Sequence, residues 1–194
     1  MGCYGYQQAR TATLDNLARD GVAFRTVVVS SPLTFPSHCS ILTGTSPPVH
    51  GVRDNVGYRF SGRPPTLAQL LSSQHYATGA FVGAYLLDKR RGLGEGFETY
   101  ASPFRGGRLE NSLVNNLQSA QRRAEEVIAD ALAWLRTIQG SPFFVWVHLF
   151  DPHTPYDPHC ASLVLAYTLS SHLVAKHPPA HHVYTIPIWG GPLR

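Results

Sequence analysis

The stretch QRRAEEVIADALAWLRTIQGSPFFVWVHLFDPH, residues 121–153, decides the fold. Its first part sets Ala124, Val127, Ile128, Ala131, Leu132 and Leu135 three and four residues apart, the spacing of one helix face. PFFVWVHLF, residues 142–150, then runs apolar without alternation, as a strand does when both of its faces are covered. The same succession occurs upstream. PTLAQLLSSQ (65–74) predicts a helix with Leu67, Leu70 and Leu71 inward, and YATGAFVGAY (76–85) a buried strand. Helices alternating with unbroken apolar strands predict an α/β fold, a parallel sheet flanked by helices. Ligands of such sheets gather beyond the carboxyl ends of the strands. Two stretches fall there, TFPSH (34–38) and DPHTPY (151–156).

Working outward, TATLDNLARDG (11–21) predicts a helix with Leu14, Leu17 and Ala18 on one face, Thr13 as cap and Gly21 as stop. VAFRTVVV (22–29) predicts a strand, and HCSILTG (38–44) a short helix closed by Gly44. Residues 90–116, rich in Gly and Arg, have too few periodic apolar positions for anything but loop. Beyond Asp157 the composition changes. No Asp or Glu follows, and five of the ten histidines crowd in. His177, His181 and His182 suggest a metal cluster less than they suggest a biased tail, such as a changed reading frame produces. The expected organisation is therefore a folded domain over residues 1–158 and a divergent, poorly packed tail over 159–194.

With 194 residues, 43% hydrophobic and 14% charged, the chain is long enough for a sizeable core and unlike a disordered composition. The net charge of +4 rests on 14 Arg and 2 Lys, scattered except at Arg90-Arg91 and Arg122-Arg123. Those pairs read as solvated turn or helix faces, so no nucleic-acid partner is expected. Cys3, Cys39 and Cys160 have neither C-x-x-C spacing nor an even number, which argues against a disulfide framework or a zinc knuckle. No apolar run reaches the length of a membrane span, MGCYGYQQAR lacks the apolar core of a signal peptide, and Tyr6 does not fit a myristoylation motif.

Thr34 in PLTFPSH has two readings. Ser and Thr are preferred where helices begin. A helix start also gathers free N–H groups and partial positive charge, which suit a hydroxyl that attacks an anionic ester. Context decides between them. TFPSHCSILTGTSPPVHGVRDN (34–55) resembles the nucleophile segment of the sulfatase and alkaline phosphatase superfamily, metal-dependent hydrolases of phosphate and sulfate esters. Residues 64–100 and PFFVWVHLFDPHTPYDP (142–158) resemble the sulfatase-like hydrolases in the same order.

The resemblance implies an alkaline-phosphatase-like fold, incomplete in this chain, and a small-molecule phosphate or sulfate ester as partner. It leaves the compartment open, a periplasmic or extracellular one being compatible with it. Sulfatases carry Cys or Ser where this chain has Thr34, converted to formylglycine, and Arg where it has His38. That route is closed here, and Cys39 begins no C-x-P-x-R. Thr34 instead resembles the nucleophile of the nucleotide pyrophosphatase/phosphodiesterases, in which the threonine is also a metal ligand. In that branch an asparagine follows the threonine by 21 residues, the interval from Thr34 to Asn55. The resemblance thus implies Thr34 as nucleophile, Asn55 as amide donor to the growing oxyanion and His153 beside the leaving group. Residue by residue, Asn55 also suits a turn, and His153 a proline-rich turn. His38 is expected on a helix surface with its ring bonded to backbone, and His50 to make an ordering hydrogen bond.

The implied cofactor is a divalent metal, Zn, Mn or Ca. The aspartates and the D-H-G that relatives use to hold it have no counterpart here, leaving Thr34 as the one matched ligand. The expectation is a metal-dependent ester hydrolase working through a covalent threonine. The alternative is a catalytically inactive truncated piece or a non-enzymatic anion-binding module.

Overall fold

The computed structural model describes residues 1–6, 8–104, 121–138, 140–151 and 153, together with the backbone of Tyr184–Gly190. The chain forms two compact units, Met1–Ser30 and Ser31–Arg194.

In the first unit a 3₁₀ turn, Gly2–Tyr4, precedes α1, Ala12–Asp20. Asp15 organises this unit: its carboxylate accepts the Cys3 N–H (2.7 Å) and the Thr11 hydroxyl (3.1 Å), while Thr11 Oγ1 accepts the Gly2 N–H (2.9 Å). The helix begins one residue after Thr11 rather than after the expected Thr13. None of the unit's described residues is buried. The strand expected over residues 22–29 does not form, and Val22, Phe24, Val27, Val28 and Val29 are exposed. β-branched residues favour a strand because they pack on neighbours across a half-buried surface, and here no described strand lies alongside.

The second unit holds the sheet. α2 (Thr34–Thr43) and α3 (Pro47–His50) come first, then α4 (Leu67–Ser72). β1 (Ala77–Val82) and β2 (Thr99–Ala101) precede α5 (Ala124–Thr137), β3 (Phe143–Leu149) and β4 (Tyr184–Gly190). The strand order is β2-β1-β3-β4. β1 pairs in parallel with β2 and with β3, in a register that sets Ala77 opposite Phe143 and Val82 opposite His148. β4 closes the order antiparallel to β3. The parallel core bears out the α/β expectation. The rest of the region read as a divergent tail lies outside the described residues, as do His177, His181 and His182. No described helix is long and apolar enough to cross a membrane.

Both faces of the sheet are covered, which is why β1 and β3 read as apolar without alternation. Ala80, Val82, Phe144 and Trp146 pack with Phe35, Cys39 and Leu42 of α2 and with Phe60, Leu87, Leu93 and Phe97. Phe81 and Val145 point the other way, onto Val127 and Ala131 of α5. Trp134 lies so close to β1 that a methyl on Gly79 would stand 2.9 Å from its ring.

Several local expectations are corrected. The stripe of α5 is narrower than its spacing suggests, with Ile128 and Leu132 exposed. On α4, Ala68 is buried and Leu71 packs on the core, whereas Leu67 and Leu70 face outward. Its start is a capping box: Thr66 Oγ1 accepts the Gln69 N–H, and Gln69 Oε1 accepts the Thr66 N–H. The stretch read as loop from residue 90 contains β2, a three-residue edge too short to show a period. Residues 105–116 of that stretch lie outside the described set.

Candidate active site

α2 starts at Thr34 without a side-chain cap. Leu33, in extended conformation, is the capping residue, and Thr34 takes the first helical position. The capping reading of Thr34 is therefore corrected, and no described hydrogen bond uses its hydroxyl. A helix leaves its first N–H groups without internal partners. Here Pro36 has none to leave, and Ser37 donates to Leu33 O (3.0 Å). The Phe35 N–H donates to Asn55 Oδ1 at 2.8 Å. Asn55, 20 residues away from Phe35, thus serves as a remote cap beside Thr34. At the other end Gly44 turns left-handed (φ 67°) and its N–H bonds Ser40 O.

This bond orients the carboxamide of Asn55. Only its oxygen accepts from an N–H, so Oδ1 is committed to Phe35 and the Nδ2 amino group, with two donors, is the free end. The first turn of α2 carries no acidic residue to neutralise the positive end of the helix. A helix head, an oriented amide and an uncommitted hydroxyl therefore meet at Thr34, an arrangement suited to holding a tetrahedral anion.

Beneath Thr34 lie two buried imidazoles. His38 Nδ1 meets Thr34 O at 2.6 Å, which makes Nδ1 the protonated nitrogen, since a carbonyl can only accept. The backbone bond meets the expectation, but the expected surface position is corrected, for His38 is 3% exposed. Burial lowers its pKa to about 4, against the raising effect of that hydrogen bond. His148, in β3, is fully buried, with its ring centroid 5.0 Å from that of His38. Neither of its ring nitrogens has a partner among the described residues. Burial first, and His38 second, hold its pKa well below the ordinary value. Cys39, also buried, has its thiol pushed up to about 12 by burial, so it is no thiolate nucleophile at neutral pH. His50 meets its expectation: Nδ1 accepts the Val52 N–H (3.2 Å) and Nε2 bonds Ser40 Oγ (3.0 Å), tying α3 to α2.

His153 stacks on Phe150, centroids 4.3 Å apart, and its N–H donates to Phe150 O. Phe150 in turn approaches His148 at 6.1 Å. The described contacts therefore join Asn55 directly to the head of α2, and link His153 to it only through a file of rings. The contact of His38 with His148 puts the head of α2 at the carboxyl end of the sheet, as expected for TFPSH. Most of DPHTPY lies outside the described residues.

Sequence reasoning missed Arg91. The Arg90-Arg91 pair reads as solvated, yet Arg91 is 4% exposed, and only Arg90 is exposed, pairing with the buried carboxylate of Asp88 (2.8 Å). Arg91 lies over the Phe35 ring at 4.2 Å and donates through Nη2 to the Asn55 carbonyl. Arg122 is likewise buried and paired, with Asp130, rather than solvated. No local signal separates an inward arginine from its outward neighbour.

The residues around Thr34 do not by themselves fit the divalent metal that the family resemblance implies. They are an amide, two neutral imidazoles and a guanidinium, without the carboxylates a hard cation prefers. Among the described residues no three His, Cys, Asp or Glu side chains converge.

The family model described as Sulfatase matches residues 1–168. Among curated relatives, a steryl-sulfatase of Mus musculus is 41% identical over 97 residues, covering 45% of this chain and 15% of its own length. A Delta 4,5-hexuronate-2-O-sulfatase of Bacteroides thetaiotaomicron is 30% identical over 157 residues, 79% of this chain and 31% of the relative. Arylsulfatase A of Homo sapiens is 36% identical over 84 residues, 41% of this chain and 17% of the relative. The chain thus spans less than a third of the length of each of these relatives. Since the matched stretch takes in most of the chain, including its parallel sheet and the helix headed by Thr34, the chain belongs to the sulfatase family, within the alkaline phosphatase superfamily.

Proposed function

We propose that this chain carries the nucleophile segment of an ester hydrolase that acts on a phosphate ester, or alternatively a sulfate ester, through a covalent intermediate on Thr34. The observation that supports this most is the docking of Asn55 Oδ1 on the Phe35 N–H, which leaves the Asn55 amide donors free beside Thr34. In this reading Thr34 Oγ bonds phosphorus and gives its proton to solvent. Asn55 Nδ2 donates to the non-bridging oxygen as charge grows on it. The ester oxygen departs with the bonding pair and takes a proton from His153 or water. Water then cleaves the phosphothreonine.

The relatives' names point to sulfate esters. The residue at position 34 favours phosphate, because oxidation of a threonine side chain yields a ketone and not the aldehyde of formylglycine. A divalent Zn, Mn or Ca ion remains part of this proposal for the whole protein, with Thr34 as one ligand and the others outside the described residues.

The test is to incubate the protein with aryl phosphate, phosphodiester and aryl sulfate in the presence of each ion, and to locate any covalent adduct by mass spectrometry. A phosphoryl or sulfuryl group on Thr34, absent in Thr34→Ala, supports the proposal and names the ester. Asn55→Asp separates the two uses of Asn55. It keeps an oxygen for the Phe35 N–H but removes the amide donors, so it should fold like the parent and lose about 10²–10³ in turnover. Full activity in Thr34→Ala, or an adduct elsewhere, overturns the reading. Anion binding without turnover under any ion would leave the chain a binding module.

A further inference from the structure

Arg91 is a buried cation that forms no ion pair among the described residues. Its Nε has no hydrogen-bond partner among the described residues. Asp88 attracts this charge without pairing with it; a buried charge without a paired partner is costly, and an apolar side chain of similar length often does better in such a place. Packing on Phe35 therefore does not account for an arginine. Donation does. The Arg91 backbone is held by the Phe60 N–H on its own O (2.8 Å), and its guanidinium lies over Phe35 and donates to the Asn55 carbonyl. Asn55 is consequently gripped twice, at its backbone oxygen by Arg91 and at Oδ1 by the Phe35 N–H. Both grips are made by residues that stack on each other.

We propose that Arg91 is a positioning residue, which holds the Asn55 main chain against the head of α2 so that the Asn55 amide donors stay directed for the oxyanion. This rests on the reading of Asn55 given above, and it identifies a residue on which the orientation of that donor depends.

The test is residue-resolved amide exchange on the 194-residue chain, comparing the parent with Arg91→Met and Arg91→Lys. Methionine keeps the apolar stem over Phe35 and removes the donor. The expected result is Phe35 exchange at least about tenfold faster in Arg91→Met, with Leu42 at the far end of α2 unchanged, and partial recovery in Arg91→Lys. A change spread equally over Phe35 and Leu42 would mean general loosening and would overturn the proposal, as would unchanged exchange at Phe35. Should Arg91→Met not fold, Arg91→Lys decides by the same comparison, since an ammonium donates without stacking as a plane. A second readout is binding of inorganic phosphate followed at the Asn55 side-chain amide. Arg91→Met and Asn55→Ala should weaken it to a similar degree, and the double variant should be no weaker than Asn55→Ala alone. Additive losses would overturn the proposal. Failure of the parent to bind phosphate would overturn the functional reading of Asn55, while the exchange comparison still decides whether Arg91 holds it.

Discussion

Acid should destabilise this protein through His38, and the size of the effect follows from its burial. The imidazole is 3% exposed, and its pKa falls from 6.5 to about 4, chiefly because burial penalises the charged form. A group whose folded pKa is depressed binds its proton first in the unfolded chain. Its contribution is therefore complete above pH 6.5 and is lost as pH falls from 6.5 towards 4. The shift corresponds to about 3 kcal/mol, acquired at a slope of up to about 1.4 kcal/mol per pH unit. His148, shifted in the same direction, adds to the slope, and protonating either ring opposes protonating the other. Against a total stability of about 5–15 kcal/mol for a domain, the loss is a large fraction. Urea unfolding followed by tryptophan fluorescence at pH 7.5, 6, 5 and 4.5 measures it, since Trp146 is buried beside His38. His38→Gln supplies the control, because glutamine can donate to the Thr34 carbonyl but cannot be protonated. Its curve should start lower at pH 7.5 and converge with the parent as pH falls. Parallel curves between pH 7.5 and 5 would refute the argument, as would a His38 titration by NMR with its midpoint near 6.5.

Three further outcomes follow from the packing. Gly92→Ala should cost more than about 3 kcal/mol by urea unfolding, because φ is +101° and the new methyl would stand 2.1 Å from the Phe60 carbonyl oxygen. Thr34→Ala should change stability by less than about 0.5 kcal/mol, since no described hydrogen bond depends on the hydroxyl and alanine is the better helix former; a loss of 1 kcal/mol or more would restore the capping role. Gly79→Ala should cost about 1–3 kcal/mol by overpacking and red-shift the fluorescence of Trp134, whose ring lies 2.9 Å from the added methyl.

The sequence by itself determined the elements whose period records their surroundings. β1 and β3 read as buried parallel strands because each is covered on both faces, and α5 read as a helix because Val127 and Ala131 repeat at helical spacing. The family resemblance pairs Thr34 with Asn55 by their interval, and the structure sets Asn55 Oδ1 on the N–H of Phe35, the residue next to Thr34 in the chain. Tertiary structure decided what a period cannot carry. Residues 22–29 had the composition of a strand, but a strand exists only with a neighbour to complete its hydrogen bonds. Leu67 and Leu70 share apolar character with Leu71, yet only the direction in which α4 approaches the core says which of them is covered. Arg90 and Arg91 are adjacent and chemically identical, and a 3₁₀ turn leaves one exposed, paired with the buried carboxylate of Asp88, and sends the other inward to the Asn55 carbonyl. His38 likewise looks like any polar helix residue until His148, 110 positions later, closes over it. Burial is a property of the partners that a side chain meets, and those partners lie far along the chain.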